Sequence, residues 1–217
     1  MVPVARDTPA EVNVGEHRDA GFVQQTFAQR LRIGATGHAA RLGDVGPCIE
    51  RAAWDRTLDA RHFVQQSHDE VSLDTFRGQP FVLTFVFTRC PVPNFCPRMS
   101  NNFEELQAAI KAASGSVAKT RLLSVTLDPD YDTPKVLNDY AAFHHADPKI
   151  WSFATGDEKE IDSLTRAFSV YRQNEGGTIS HGLATALINP NGTVERIWRG
   201  NAWTPAEVIE AVRSETK

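Results

Sequence analysis

At 217 residues, 41% hydrophobic, the chain is long enough for one core of ordinary size with some residues to spare. A net charge of −4 with no lysine/arginine block, and no RNA- or DNA-specific motif, argues against nucleic acid as a main partner. Three cysteines are too few for a disulfide scaffold, and the longest apolar run is far too short to span a bilayer.

Residues 1–58 carry no sustained period of 2 or 3.6 and read as a poorly structured N-terminal extension rather than a second domain. Within them, residues 22–33 have the pattern of a short amphipathic helix, using Phe22, Phe27 and Leu31. Cys48 has no partner-site residues nearby and reads as an incidental free thiol. The N-terminus shows no apolar h-region and no cleavage site, so the chain as written carries no export signal and no anchor.

From Phe63 onward the pattern becomes legible. Residues 71–78 predict a short strand and turn that feed 81–87, Phe-Val-Leu-Thr-Phe-Val-Phe, a run typical of a buried strand. Three prolines follow, at 91, 93 and 97, and proline cannot donate to a ladder, so this strand must stop near Arg89. Met99, Phe103, Leu106, Ile110 and Ala113 recur at steps of 4 and 3 on one helical face, which ends at Ser114-Gly115. Residues 122–127 alternate only loosely and predict a strand buried on both faces.

Thr133-Pro134 opens a second helix with proline at its favoured first position. Residues 151–153 predict a short strand, after which Asp157 with Glu160 caps a helix carrying Ile161, Leu164 and Phe168. Residues 183–188 and 194–198 flank Asn189-Pro-Asn-Gly192, a hairpin signal. Thr204 and Glu207 form a capping box, with proline inside it, for a last helix on Val208, Ile209 and Val212. An early βαβ unit and a late hairpin predict a mixed central sheet of four or five strands with helices on both faces. That is an α/β, thioredoxin-like architecture over residues 59–217.

The chemistry concentrates in Cys90-Pro-Val-Pro-Asn-Phe-Cys96-Pro97, two thiols on a proline-stiffened loop at the end of a central strand. Such a pair suits either a thiophilic metal or reversible disulfide exchange. A helix N-terminus is predicted at Pro97, and its free N–H groups and dipole, with Arg89 and Arg98 alongside, are expected to favour a thiolate at Cys96. Of seven histidines, His17, His38, His62 and His68 carry no site signal, and His144-His145 reads as a solvated helix end. His181 differs: it stands in a glycine-framed loop, 176–182, directly before the 183 strand, beside which the cysteine loop packs in a thioredoxin-like sheet. It is therefore a candidate third ligand. Two thiolates and an imidazole form a soft, three-coordinate set that favours Cu(I), whereas structural zinc would want a fourth protein ligand. The spacing also excludes haem attachment.

From about Phe63 to the C-terminus the sequence resembles the Sco/SenC family of copper chaperones. The matching text is Val71-Ser-Leu73, Phe76-Arg-Gly78, Thr88-Arg-Cys90-Pro, Cys96-Pro, Leu127-Asp-Pro-Asp-Tyr-Asp-Thr-Pro134, and His181 before a strand ending Ile188-Asn-Pro-Asn-Gly192. The resemblance implies a thioredoxin-like fold and a copper ion held by Cys90, Cys96 and His181. It also implies a role in assembling the copper site of cytochrome c oxidase or of another copper protein, on the cell-envelope or periplasmic side of a membrane. Asp128 and Asp132 match a family motif near the site and read mainly as loop and helix-cap residues.

The usual family motif has three residues between its cysteines, and this chain has five, as in a recognisable branch. Because residues 1–58 look unlike a family N-terminus, the start of the reading frame is expected to be truncated or mis-framed. The competing reading is a thiol–disulfide oxidoreductase that uses Cys90 and Cys96 as its redox pair. Cys-x-x-Cys spacing and a proline before the hairpin's first strand would support it; here the spacing is longer, and residues 178–182 hold a histidine and no proline. A Thr-x-x-Cys peroxiredoxin pattern is absent.

Overall fold

The computed structural model describes residues 63–214. The expected extension, with its 22–33 helix and Cys48, lies outside the described residues.

The chain opens with a short antiparallel hairpin, β1 (Phe63–Gln65) and β2 (Glu70–Val71), turned through His68 at φ 70°. A 3-10 turn, Leu73–Phe76, buries Leu73 and Phe76 and leads into β3 (Phe81–Val86). Then come α1 (Cys96–Ala112), α2 (Gly115–Ala118), β4 (Arg121–Thr126), α3 (Pro134–Phe143), β5 (Trp151–Thr155) and α4 (Glu158–Ala167). A separate hairpin, β6 (Arg172–Asn174) and β7 (Ile179–His181), precedes β8 (Ala184–Ile188), β9 (Val194–Arg199) and α5 (Pro205–Ser214).

The main sheet has seven strands in the order β2-β1-β5-β4-β3-β8-β9. The central β3–β4 and β4–β5 pairs are parallel, and the flanking pairs are antiparallel. All six residues of β3 and all five of β5 are buried, as expected of strands covered on both faces. Register shows which helix covers which face. Thr84 pairs with Ser124, and Ser124 with Phe153, so Trp151 and Phe153 share one face while Phe85 points to the other. Phe103 of α1 lies 5.7 Å from the Trp151 ring, and Tyr140 of α3 lies 5.7 Å from the Phe153 ring. Phe168, just past α4, meets Phe85 at 5.9 Å. α1 and α3 therefore cover one face, with α5 packed on α1, and α4 covers the other.

The thioredoxin-like architecture with helices on both faces is present, but the sheet is wider than expected. β1 and β2 hold three and two residues, too few to carry a period, and they join only through pairing with β5. The first long helix ends at Ala112, close to the expected Ser114-Gly115, and Gly115 at φ 68° begins the short α2. Asp157 occupies the N-cap of α4, yet its side chain makes no capping bond. The Thr204–Glu207 box forms as expected: the Thr204 N–H donates to Glu207 Oε2 at 2.6 Å, and the Glu207 N–H to Thr204 Oγ1 at 3.4 Å.

Candidate metal centre

β3 ends at Val86, and the chain crosses Phe87, Thr88 and Arg89 before reaching the proline-stiffened loop. Cys90 is half-buried at the start of that loop. Cys96 is the first residue of α1 and is 0% exposed. The β6–β7 hairpin brings in His181 from 85 residues downstream, placing its Nε2 3.5 Å from Cys96 Sγ. One donor atom from each of Cys90, Cys96 and His181 lies within 4.8 Å of the others. Sequence reasoning expected a glycine-framed loop at 176–182; the structure holds this segment as a hairpin strand, with Gly176 and Gly177 at positive φ in its turn.

The imidazole is poised in one tautomer. His181 Nδ1 lies 2.9 Å from the Gly182 carbonyl oxygen, which can only accept, so Nδ1 carries the hydrogen. In the neutral ring Nε2 then keeps its lone pair and directs it at the sulfur pair. The rings of Phe87 and Phe95 stand edge-on to the imidazole at 5.5 and 6.1 Å and fix its plane.

The two thiols differ in protonation, and in the sense opposite to the sequence expectation. The Cys96 S–H donating to its sulfur holds the Cys90 thiol down to about 5, with help from the backbone at Val92 and Cys96. The same donation, together with burial, pushes Cys96 well above the ordinary thiol range. The backbone at Cys96 favours a thiolate at both sulfurs, but at Cys96 burial and the bond to Cys90 outweigh it. Arg89 does not face the sulfurs. Its guanidinium meets Asp128 Oδ2 through Nε at 2.9 Å and Nη2 at 2.8 Å and stacks 4.2 Å above the Tyr131 ring.

Asp132 corrects another expectation. Thr133, not Asp132, caps α3, its hydroxyl accepting from the Val136 N–H at 3.4 Å. The Asp132 carboxylate is fully buried and accepts from the Thr88 N–H at 3.1 Å and from the hydroxyls of Thr88 and Thr126. Burial raises its pKa. Asp128 and Asp132 thus pin the two residues that lead into Cys90. The text of the motif was visible in the sequence, but its partners sit about forty positions away and only the fold pairs them.

On the other side of the site, Arg172 pairs in register with His181, and its guanidinium reaches the Leu127 carbonyl oxygen at 2.7 Å. Nothing in the sequence singled out this arginine. His144, expected at a solvated helix end, is buried 4.7 Å from the Tyr140 ring, and burial lowers its pKa. His145 is exposed, as expected there, and its Nδ1 meets the Glu104 carboxylate at 3.0 Å.

The sequence profile of the SCO1/SenC family matches residues 55–217, three quarters of the chain. The chain belongs to the SCO1/SenC family. Among its SCO1/SenC relatives, the SCO1 protein homolog of Bacillus subtilis (strain 168) is 31% identical over 157 residues, covering 70% of this chain and 79% of the relative. BsSco, described as a member of the Sco family of cytochrome c oxidase assembly proteins, superposes with a TM-score of 0.64 at 28% identity, covering 76% of this chain and 95% of its own. Arabidopsis thaliana ScoI, solved with copper bound, gives a TM-score of 0.61 at 23% identity over 70% of this chain and 96% of its own, a likeness of fold.

Proposed function

We propose that this SCO1/SenC chain is a copper metallochaperone that holds Cu(I) between Cys90 Sγ, Cys96 Sγ and His181 Nε2. The observation that carries this reading is the convergence of two sulfurs and one imidazole nitrogen within 4.8 Å. Cu(I) prefers such soft donors at low coordination number. One sulfur is already a thiolate near neutral pH, and the nitrogen lone pair already faces inward. Loading then requires only that Cys96 give up its proton. The ion is cargo, carried and released rather than used in turnover.

The recipient in this reading is the copper-site subunit of cytochrome c oxidase or another copper protein, a role supported by the family and by the description of BsSco. The resemblance also points to the envelope side of a membrane. Among the described residues, no helix is long and apolar enough to cross one.

The unequal thiols support a second reading, thiol–disulfide exchange, and a disulfide switch has been identified in BsSco. Here the half-buried Cys90 thiolate attacks a partner disulfide, forming a mixed disulfide and releasing one partner thiolate. Cys96 then attacks the Cys90 sulfur, closing the Cys90–Cys96 bond and releasing the second partner thiol, so the partner gains two electrons. His181 has no necessary part in that exchange, so it separates the two readings.

Anaerobic Cu(I) titration of the reduced protein, with His181→Ala in parallel, tests the choice. The copper reading expects one tightly held equivalent, weakened at least about tenfold (about 1.4 kcal/mol) in the variant. Binding that ignores His181, together with ready disulfide cycling, selects exchange instead.

A further inference from the structure

Cys90 and Cys96 sit on one loop and the start of one helix, whereas His181 arrives on a hairpin outside the main sheet. Only Gly182 and Leu183 link that hairpin to β8. Its remaining attachments therefore decide whether the imidazole faces the sulfurs. Arg172 stands directly across from His181 in the β6–β7 register, with its side chain 11% exposed. Its Nε donates to the Leu127 carbonyl oxygen at 2.7 Å. Its Nη1 reaches Asp162 at 2.7 Å and Glu158 at 3.3 Å, both on α4.

The cysteine arm is anchored one residue further along. Arg89, adjacent to Cys90, holds the Asp128 carboxylate at 2.9 and 2.8 Å. Two guanidiniums, one on each ligand arm, thus end on consecutive residues at the end of β4, the strand between β3 and β5. We infer that Leu127–Asp128 is the common anchor that sets the spacing between the thiol pair and the imidazole, and that Arg172 is the positioning residue for His181. The inference rests on the copper reading and deepens it. A planar guanidinium with donors in fixed directions can hold a carbonyl and a carboxylate at once, which a lysine ammonium matches only in part. The five-residue cysteine spacing makes this frame more necessary, because a longer loop leaves more of the site geometry to its anchors.

The test is a cycle of four proteins: wild type, Arg172→Met, His181→Ala and the double variant. Each is titrated anaerobically with Cu(I) against a competing chelator. Arg172→Met keeps most of the apolar stem and removes the donors. Loss of a residue that orients a ligand typically weakens metal binding about 10–100-fold, and that is the drop expected. In the His181→Ala background the same substitution should cost nothing further, because its target is gone. Arg172→Lys should recover part of the loss, and it replaces Arg172→Met in the cycle if the latter does not fold.

Wild-type affinity in Arg172→Met, or an equal drop with and without His181, overturns the inference while leaving the copper reading intact. A His181→Ala protein that binds as tightly as wild type overturns the copper reading, and this inference with it.

Discussion

Cys90 and Cys96 are six positions apart and meet opposite surroundings. Cys90 is half-buried and accepts hydrogen bonds, while Cys96 is sealed beneath the first turn of α1 and donates. Reactivity should report the difference. Only the thiolate is alkylated, so the rate at Cys90 should rise with pH and reach half its plateau at about 5, against an ordinary thiol value of 9.0. Cys96 should stay unmodified in the folded protein across that range. Mass-spectrometric mapping of iodoacetamide labelling checks both statements, and a Cys90 midpoint near 9 would contradict the first. All three donors were legible as residue types in suggestive places. Which sulfur carries the charge was not, because that depends on the burial of Cys96 and on a hydrogen bond between side chains.

At the scale of elements, α1 does two jobs at once. Its first residue supplies a sulfur, while Met99, Phe103, Leu106 and Ile110 lock its length onto the sheet. Phe103 is fully buried, 5.7 Å from the Trp151 ring and 6.2 Å from the Trp203 ring, and so joins α1 to β5 and to the segment before α5. Phe103→Ala should lower unfolding stability by about 3–5 kcal/mol, seen as a fall in the urea midpoint at unchanged m-value. A loss below about 1 kcal/mol would show that Phe103 does not hold α1 to the sheet. This face was readable because four buried side chains recur at helical spacing. β6 and β7 were not readable: three residues each, largely polar, they form a strand pair only when the Gly176-Gly177 turn brings them together. The hairpin that presents His181 was therefore the least legible element near the site.

Across the whole molecule, the parallel β3–β4–β5 core places the ends of its strands at one edge, and the cysteine loop and the His181 hairpin gather there. The thioredoxin-like layout followed from the order of long buried strands and amphipathic helices, since each carries its own period. The narrow edge strands and the anchors Asp132, Asp128 and Arg172 did not follow, because each acquires its role from a partner that only the tertiary fold supplies. The copper reading requires that this fold bind Cu(I) through two sulfurs and one nitrogen. X-ray absorption on the anaerobically loaded protein tests it most directly. The expected spectrum has two sulfur scatterers and one imidazole nitrogen on a Cu(I) edge, with the nitrogen component lost in His181→Ala. A copper ion bound by sulfur alone, with a spectrum unchanged by that substitution, would rule out His181 as a ligand.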